Sequence, residues 1–276
     1  MKNTMISKVV ELVREIKRDK YGVKYCDINS VHGVFHWSKK NSKVGKAIGV
    51  NFPIFYTCRH DCECYTKKVC YAQCGCYMFN SNQQIYAENY KFYMENPIAW
   101  WKTLQNTVNT EAKNYELLRF FECGDFPRMA FVSELVDFAN DNPELKIWLY
   151  TKKYFFVNRY CDNNGVNSIP ENVHIIFSHW LNEDGTYLPM DNPYNFPTSE
   201  FIPMGREDLL ENVTHICPCS DPNVIATCET CEHPCYELKH GESMALLEHS
   251  TPKTRARDKA VHAAKTALEK ALKAIA

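Results

Sequence analysis

The sequence lacks any long apolar segment. No run approaches the roughly eighteen consecutive apolar residues of a membrane-spanning helix, which argues against a membrane protein. The first twenty residues carry Lys2 but have neither a continuous apolar core nor a small-residue cleavage site, so we expect no secretory signal and a cytoplasmic location. The net charge of −1 gives no global support for a nucleic-acid or anionic-membrane partner.

Cysteine is the residue that the chain has in excess. Of its 14 cysteines, one cluster lies in residues 58–76 and another in residues 217–235. The N-terminal cysteine cluster comprises Cys58, Cys62, Cys64, Cys70, Cys74 and Cys76, and the C-terminal cysteine cluster comprises Cys217, Cys219, Cys228, Cys231 and Cys235. In a reducing cytosol such spacing favours metal binding over disulfides, and packing alone would scatter small apolar residues.

Between the clusters, strand-like and helix-like segments alternate. The predicted helices cover 83–95, 97–113, 129–140 and 154–161, and the predicted strands cover 47–55, 117–121, 145–150 and 173–177. This alternation is typical of βα units, so the sequence predicts an α/β fold with a parallel sheet, either open or curled into a barrel. At 276 residues, the chain is long enough for one large domain or a domain with a small appendage.

The remaining segments set the predicted boundaries. Apolar spacing through Val9, Val13 and Ile16 predicts an amphipathic helix within an N-terminal segment 1–40, followed by a βα core 41–212. Residues 182–203 predict a long loop inside that core. A Cys-rich extension follows at 213–250, and the basic Ala/Lys-rich residues 251–276 predict a C-terminal helix.

Polar side chains follow the predicted strands. Glu122 and Asp125 come after the second strand, Lys152 after the third and His179 after the fourth. Because the carboxyl ends of parallel strands meet at one edge, these residues and the N-terminal cysteine cluster are expected to face one mouth, and we interpret these four as catalytic candidates. The alternatives are a helix-capping role for Asp125, a solvated Lys152 and a structural His179.

The C-terminal cysteine cluster contains a C-x2-C-x3-C run. With Cys217 as a fourth ligand, the thiolates Cys228, Cys231 and Cys235 suit a four-iron cluster. The same four thiolates suit a tetrahedral zinc site equally well, and the spacing does not choose between the two metals.

A set of short motifs comes in one order. The segments Asn41-Ser-Lys-Val-Gly45, Thr57-Cys58, Cys70-Tyr71-Ala72, Arg119-Phe-Phe-Glu-Cys-Gly-Asp-Phe126, Tyr150-Thr-Lys152, Cys217-Pro218 and Cys228-x2-Cys231-x3-Cys235 resemble the phage gene-product-88 family of cysteine-rich proteins. The resemblance covers residues from about Asn41 to Tyr236, most of the chain.

That family in turn resembles radical S-adenosylmethionine (SAM) proteins. The resemblance implies a partial TIM-like barrel and a four-iron cluster held by Cys58, Cys64 and Cys70. The remaining thiols, Cys62, Cys74 and Cys76, are alternative ligands or ligands of a second metal. The resemblance also implies a cofactor-binding turn, for SAM, formed by Glu122, Gly124 and Asp125, with Tyr150 beside it. The loop reads C-x3-C-x-C-x5-C-x3-C-x-C, whereas radical SAM proteins usually have C-x3-C-x2-C.

Three functions are compatible with these features. The first is an iron–sulfur enzyme with one or two 4Fe-4S clusters, a small-molecule or macromolecular substrate and an electron donor. The second is a binding or structural module stapled by zinc. Nucleic-acid binding through zinc knuckles and the basic tail is the least favoured, because the rest of the chain is acidic on balance.

Overall fold

A computed structural model describes residues 13–41, 43–182, 185–220, 224 and 226–248. The predicted C-terminal helix 251–276 lies outside the described residues, as do residues 1–12 of the predicted N-terminal helix. No helix in the described part of the chain is long and apolar enough to cross a membrane.

In the described part of the chain, nine strands form two sheets. An antiparallel pair of β1 and β2 forms the small sheet, and seven parallel strands form the large sheet in the order β3-β4-β5-β6-β7-β9-β8. The strands are β1 (Ile16–Arg18), β2 (Lys24–Cys26), β3 (Ile48–Val50), β4 (Leu117–Phe120), β5 (Lys146–Thr151), β6 (Val173–His179), β7 (Thr198–Ile202), β8 (His215–Ile216) and β9 (Ser243–Leu247).

The large sheet is open. Strands β3 to β7 lie side by side in chain order, and β3 and β8 are the two edges with no pairing between them, so no barrel is closed in the described part of the chain. The predicted α/β class with a parallel sheet is confirmed. The edge of β3 is covered by an isolated antiparallel bridge between Ser38 and Gly49, which limits its exposure to other chains.

Four long helices cover one face of the large sheet, which we call the helical face. They are α3 (Asn80–Glu95), α4 (Pro97–Asn109), α5 (Phe131–Asn140) and α6 (Tyr154–Asn164), and two short helices, α1 (Ile54–Thr57) and α2 (Glu63–Thr66), precede them. Helix α4 begins at Pro97, whose missing N–H is no loss at a first helical position, and the Asn96 side chain accepts from Ala99 N. The fully buried Trp100, Phe131 and Val157 join strand residues such as Ile147 in one apolar core.

The opposite face, which we call the second face, is covered by the C-terminal Cys-rich segment. Leu117, Trp148 and Ile176 project from β4, β5 and β6 into a second apolar cluster with Tyr236 and Leu238. Burying both faces explains why the central strands are mostly apolar rather than strictly alternating.

Two predictions along the chain are wrong. Ile16 lies in strand β1, because residues 16–18 pair with 24–26 in a hairpin rather than continuing a helix. The predicted loop 182–203 contains β7 at its end, where pairing with both β6 and β9 overrides a composition rich in Asn, Pro and Gly. Residues 213–248 contribute β8 and β9 to the large sheet.

Candidate functional site

The turn after β4 is a tight backbone structure at the carboxyl end of the sheet. Phe121 and Gly124 both have positive φ, 59° and 95°. A Cβ at Gly124 would overlap the carbonyl oxygen of Phe52, so the close approach of these two backbone segments requires glycine here. The turn is thereby fixed against the residues that lead into α1.

Asp125 joins two strand ends. Its buried carboxylate accepts hydrogen bonds from Phe126 N (2.8 Å), Thr151 Oγ1 (2.7 Å) and Lys152 N (3.0 Å). Burial raises the pKa of Asp125, while these donors oppose the shift. The carboxylate does not cap α5, which begins at 131; instead it holds the turn after β4 against the turn after β5.

Glu122 faces the segment before β3. Its Oε2 accepts from Asn41 Nδ2 at 2.9 Å, and its backbone carbonyl accepts from the Tyr71 hydroxyl at 2.5 Å. The residue is 8% exposed, and burial raises the pKa of its carboxyl group. Glu122 therefore connects the strand end to both the lead-in segment and the cysteine-rich loop.

Four thiols of the N-terminal cysteine cluster come together beside these turns. We call Cys58, Cys62, Cys64 and Cys70 the first thiol group. The Sγ atoms of Cys62 and Cys64 lie 2.8 Å apart, and the Cys64 thiol interacts with Cys70 and with Cys58. Burial, together with the charge of Asp125, raises the pKa of Cys58. Hydrogen bonding to Cys62 lowers the pKa of Cys64, but the hydrogen bond to Cys70 and burial raise it to about 12 overall.

Lys152 is the cation that faces the first thiol group. Burial alone would lower its pKa, but the charges of Cys64, Cys62 and Cys70 hold that pKa well above its usual value. Its Nζ lies 4.3 Å from the ring centre of Trp180, a cation–π distance. The predicted meeting of thiols and Lys152 at one edge of the sheet is thus seen in the fold.

The donor chemistry of the first thiol group suits a thiophilic metal, but its spacing is not that of a metal site. Within the described ranges, no group of three or more His, Cys, Asp or Glu side chains is arranged to hold a metal ion. The 2.8 Å between Cys62 and Cys64 is shorter than the roughly 3.8 Å that separates two sulfur ligands of one tetrahedral zinc. Four soft ligands on one short loop nonetheless match what zinc or an iron–sulfur cluster requires.

The other two thiols of the N-terminal cluster lie elsewhere. Cys76 is exposed, and Cys74 donates to the Tyr71 carbonyl at 3.2 Å. Cys123 is buried in the core next to Ile54 and Tyr86. The sequence left the choice among these cysteines open, and proximity now favours Cys58, Cys62, Cys64 and Cys70.

The C-terminal cysteine cluster forms a second group over the second face. Cys219 interacts with the thiols of Cys217 and Cys228, and its pKa also responds to Cys231. We call Cys217, Cys219, Cys228 and Cys231 the second thiol group. Hydrogen bonding to Cys217 lowers the pKa of Cys219, but Cys228 and burial raise it to about 11 overall.

Cys235 and Tyr150 form a contact of their own. Tyr150 donates to Cys235 Sγ at 2.8 Å, and the Met244 sulfur lies 3.3 Å from each. Cys235, 7% exposed, is packed in the apolar cluster of the second face. Cys219 thus hydrogen-bonds to two thiols of the group, whereas Cys235 senses Cys217 and Cys231 only through their charge.

One loop contacts both sites. Asn41 reaches Glu122, while Lys43 O accepts from Cys228 N at 2.9 Å and Lys43 Nζ donates to the Cys219 carbonyl. Gly45 has φ +86°, and a Cβ there would lie 2.7 Å from a Glu229 carboxylate oxygen. We call residues 41–46 the clasp loop.

His179 has both ring nitrogens occupied. Nδ1 lies 2.8 Å from Glu200 Oε2, and Nε2 lies 2.8 Å from the Leu188 carbonyl. Burial would lower the pKa of His179, but the hydrogen bond and charge of Glu200 raise it. This histidine therefore links the end of β6 to β7 through Glu200, and to the segment before β7 through Leu188.

The fold and the site together define an α/β protein with a parallel sheet, whose strand ends carry a cysteine-rich loop. The family model for gene product 88 matches residues 32–192, more than half of the chain, so the chain belongs to that family. The match ends before the second thiol group, although the sequence resemblance extended to Tyr236. It gives no support to a radical SAM relationship. No curated protein and no solved structure matches the chain.

Sequence reasoning left Cys219 out of the predicted ligand set and missed the buried Arg119 of β4. The Cys217-Pro-Cys219 pair was a usable signal, because two cysteines one residue apart can present their thiols to one centre. No comparable signal existed for Arg119, because a charged residue inside a strand pattern does not reveal that it is buried.

Proposed function

We propose that this protein is an iron–sulfur protein whose first thiol group, Cys58, Cys62, Cys64 and Cys70, would supply three thiolates for a 4Fe-4S cluster, so that one iron stays without a protein ligand. The observation that carries the proposal is the convergence of these thiols beside Lys152 at the carboxyl end of a parallel sheet. Ligands of parallel α/β proteins gather at that end of the sheet. Thiolates are the ligands that hold four-iron clusters in proteins.

The proposed architecture is a partial TIM-like barrel of the radical SAM type. Two observations support it: β3 to β7 follow one another in chain order, and their helices share one face. A doubly wound sheet would instead reverse its strand order near the middle. The chemistry proposed is a one-electron reaction on a substrate bound near the strand ends.

The chain's own residues take defined parts in this proposal. A bound cluster would supply one electron, and SAM is the proposed second cofactor. Lys152 would balance the negative charge of the thiolates, while Glu122, Gly124 and Asp125 shape the turn beside them. His179 would position the loop after β6 through Glu200 and Leu188.

The second thiol group is proposed to hold zinc as a structural site. Four thiolates without an open position are typical of structural zinc, and the segment covers an apolar sheet face rather than the strand ends. The same observation favours the second candidate function, a binding module in which both groups hold zinc.

The test is metal analysis of protein purified without oxygen. We expect about four irons per chain at the first group, a signal in electron paramagnetic resonance after reduction, and cleavage of added SAM. Cys64→Ala should lose the iron and keep the zinc. Cys161→Ala, a buried thiol in α6 and the core of the helical face, is the matched control and should keep both. Colourless protein with two zinc ions would replace the proposal by the zinc module.

A further inference from the structure

Arg119 is a buried charge on the second face of the sheet. The residue is 6% exposed, and its guanidinium carbon lies 5.5 Å from the ring centre of Trp148 and 4.3 Å from that of Tyr150. Its Nη1 is fully buried and has no hydrogen-bond partner, and the guanidinium forms no ion pair with any residue of the described ranges.

Such an arrangement is unfavourable as it stands. A guanidinium remains charged in proteins, and a buried charge without a partner is not compensated for its lost hydration. The aromatic faces of Trp148 and Tyr150 offset only part of this loss. An anion on the free edge of the guanidinium would complete the site.

In the described part of the chain, none of the groups on which this charge acts forms an ion pair with it. The charge of Arg119 acts on Tyr71, Glu122, Tyr150 and Cys235. Glu122 forms its hydrogen bond with Asn41, and the Tyr150 hydroxyl donates to Cys235. Tyr71 is 41% exposed, the largest exposure of this set, and marks the side that faces solvent.

We propose that Arg119 binds the carboxylate of a small-molecule substrate, between the second face of the sheet and the C-terminal cysteine cluster. The planar fork of a guanidinium pairs with two coplanar oxygens, and aromatic walls suit a flat group. A carboxylate carries one negative charge, which a single arginine balances. A dianionic phosphate would add a second charge beside the Glu122 carboxyl group.

This inference deepens the proposed function, because it names a substrate class for a site on β4, three residues before Glu122 in the turn that follows the strand. It requires binding only, so it is tested without an activity assay. Iron content is measured on the same samples: carboxylate binding by protein without iron would contradict the proposed function and leave this inference intact.

The experiment titrates the intact, metal-containing protein with sodium acetate, sodium benzoate and inorganic phosphate at constant ionic strength. Binding is followed by the Arg side-chain Nε–Hε signals in NMR and by the melting temperature. We expect saturable binding of the carboxylates, much weaker binding of phosphate, and at least a tenfold loss of carboxylate affinity in Arg119→Gln. Arg159→Gln removes an exposed arginine of α6 and should bind as the unaltered protein does.

Stability without added carboxylate gives an independent measurement. Arg119→Gln should be as stable as the unaltered protein or more so, because it removes an unpaired charge. Arg119→Lys keeps the charge and should retain part of the affinity. Unchanged carboxylate affinity in Arg119→Gln would overturn the inference, as would tighter binding of phosphate. The inference would also be overturned if Arg119→Gln lost its metal and the unaltered protein bound no carboxylate. The guanidinium would then be balancing the negative charge of the thiolates.

Discussion

At the scale of single residues, the clearest constraints are those of the backbone at the strand ends. Gly124 combines φ +95° with a position where a Cβ would overlap Phe52 O, whereas Gly205 has φ +82° and open space around the same point. Comparing alanine substitutions at the two glycines therefore separates the cost of a positive φ from the cost of steric overlap.

We therefore expect Gly124→Ala to lower the free energy of unfolding by at least about 2 kcal/mol, because strain and overlap add together. Gly205→Ala should lower it by about 1 kcal/mol, from strain alone. Urea denaturation measures both values. Equal losses in the two variants would mean that the contact with Phe52 relaxes at no cost.

The second residue-scale prediction concerns His174 of β6. Burial, together with the positive charge of Lys146, lowers its pKa from 6.5 to about 4, against an opposing effect of Glu237. Between these two pH values, the His174 side chain is therefore protonated in the unfolded chain and neutral in the folded one. The stability that this histidine contributes is present above pH 6.5 and is lost as the pH falls from 6.5 towards 4.

Denaturation at several pH values checks this. Between pH 7 and pH 4.5, the free energy of unfolding should fall less steeply in His174→Gln than in the unaltered protein. His240→Gln alters an exposed histidine outside the sheet and should leave the slope as it is. Parallel slopes for the unaltered protein and His174→Gln would contradict the shifted pKa.

At the scale of elements, the two candidate thiols of the C-terminal segment are distinguishable. Cys219 interacts with Cys217 and Cys228, whereas Cys235 accepts from Tyr150. We expect Cys219→Ser to lose the metal of the second thiol group. Cys235→Ser should keep it and lose about 1 kcal/mol of stability with the Tyr150 contact.

Metal content per chain, measured by mass spectrometry of the elements, decides between these variants. Loss of metal in Cys235→Ser with retention in Cys219→Ser would restore the ligand set that the sequence pattern predicted. The iron proposed for the first thiol group would serve as the internal reference, because neither substitution touches that group.

Elements with a strong local pattern were predictable from the sequence. The helix predicted at 83–95 lies within α3, and the strand predicted at 173–177 is the first part of β6, because period and β-branched content agree with their burial there. Strand β7 was not predictable, since only its pairing with β6 and β9 makes residues 198–202 a strand. The meeting of Lys152 with the cysteines followed from parallel topology, while the separation of Cys219 from Cys235 depended on tertiary contacts.

At the scale of the whole molecule, the second face of the sheet depends on the C-terminal segment. Trp148, Tyr236 and Leu238 share one apolar cluster, so loosening residues 213–248 would expose the middle of the sheet. If the second thiol group holds zinc, metal binding contributes directly to the free energy of folding.

We expect a chelator, added under reducing conditions, to lower the melting temperature by several degrees and to increase binding of the dye ANS. The fluorescence of Trp148 should shift to longer wavelength as its cover loosens. Cys219→Ser should already show these properties and should not respond further to the chelator. A melting temperature that the chelator leaves unchanged would show that packing alone holds the segment in place.

The clasp loop connects the turn after β4 to the C-terminal cysteine cluster. Asn41 hydrogen-bonds to Glu122 in the turn after β4, which lies inside the family match. Lys43 and Gly45 contact Cys228 and Glu229, which lie beyond the end of that match. A displacement at Cys228 would be transmitted through fewer than ten residues to Glu122. If the second thiol group binds a metal, the clasp loop therefore connects that metal site directly to the turn that carries Glu122.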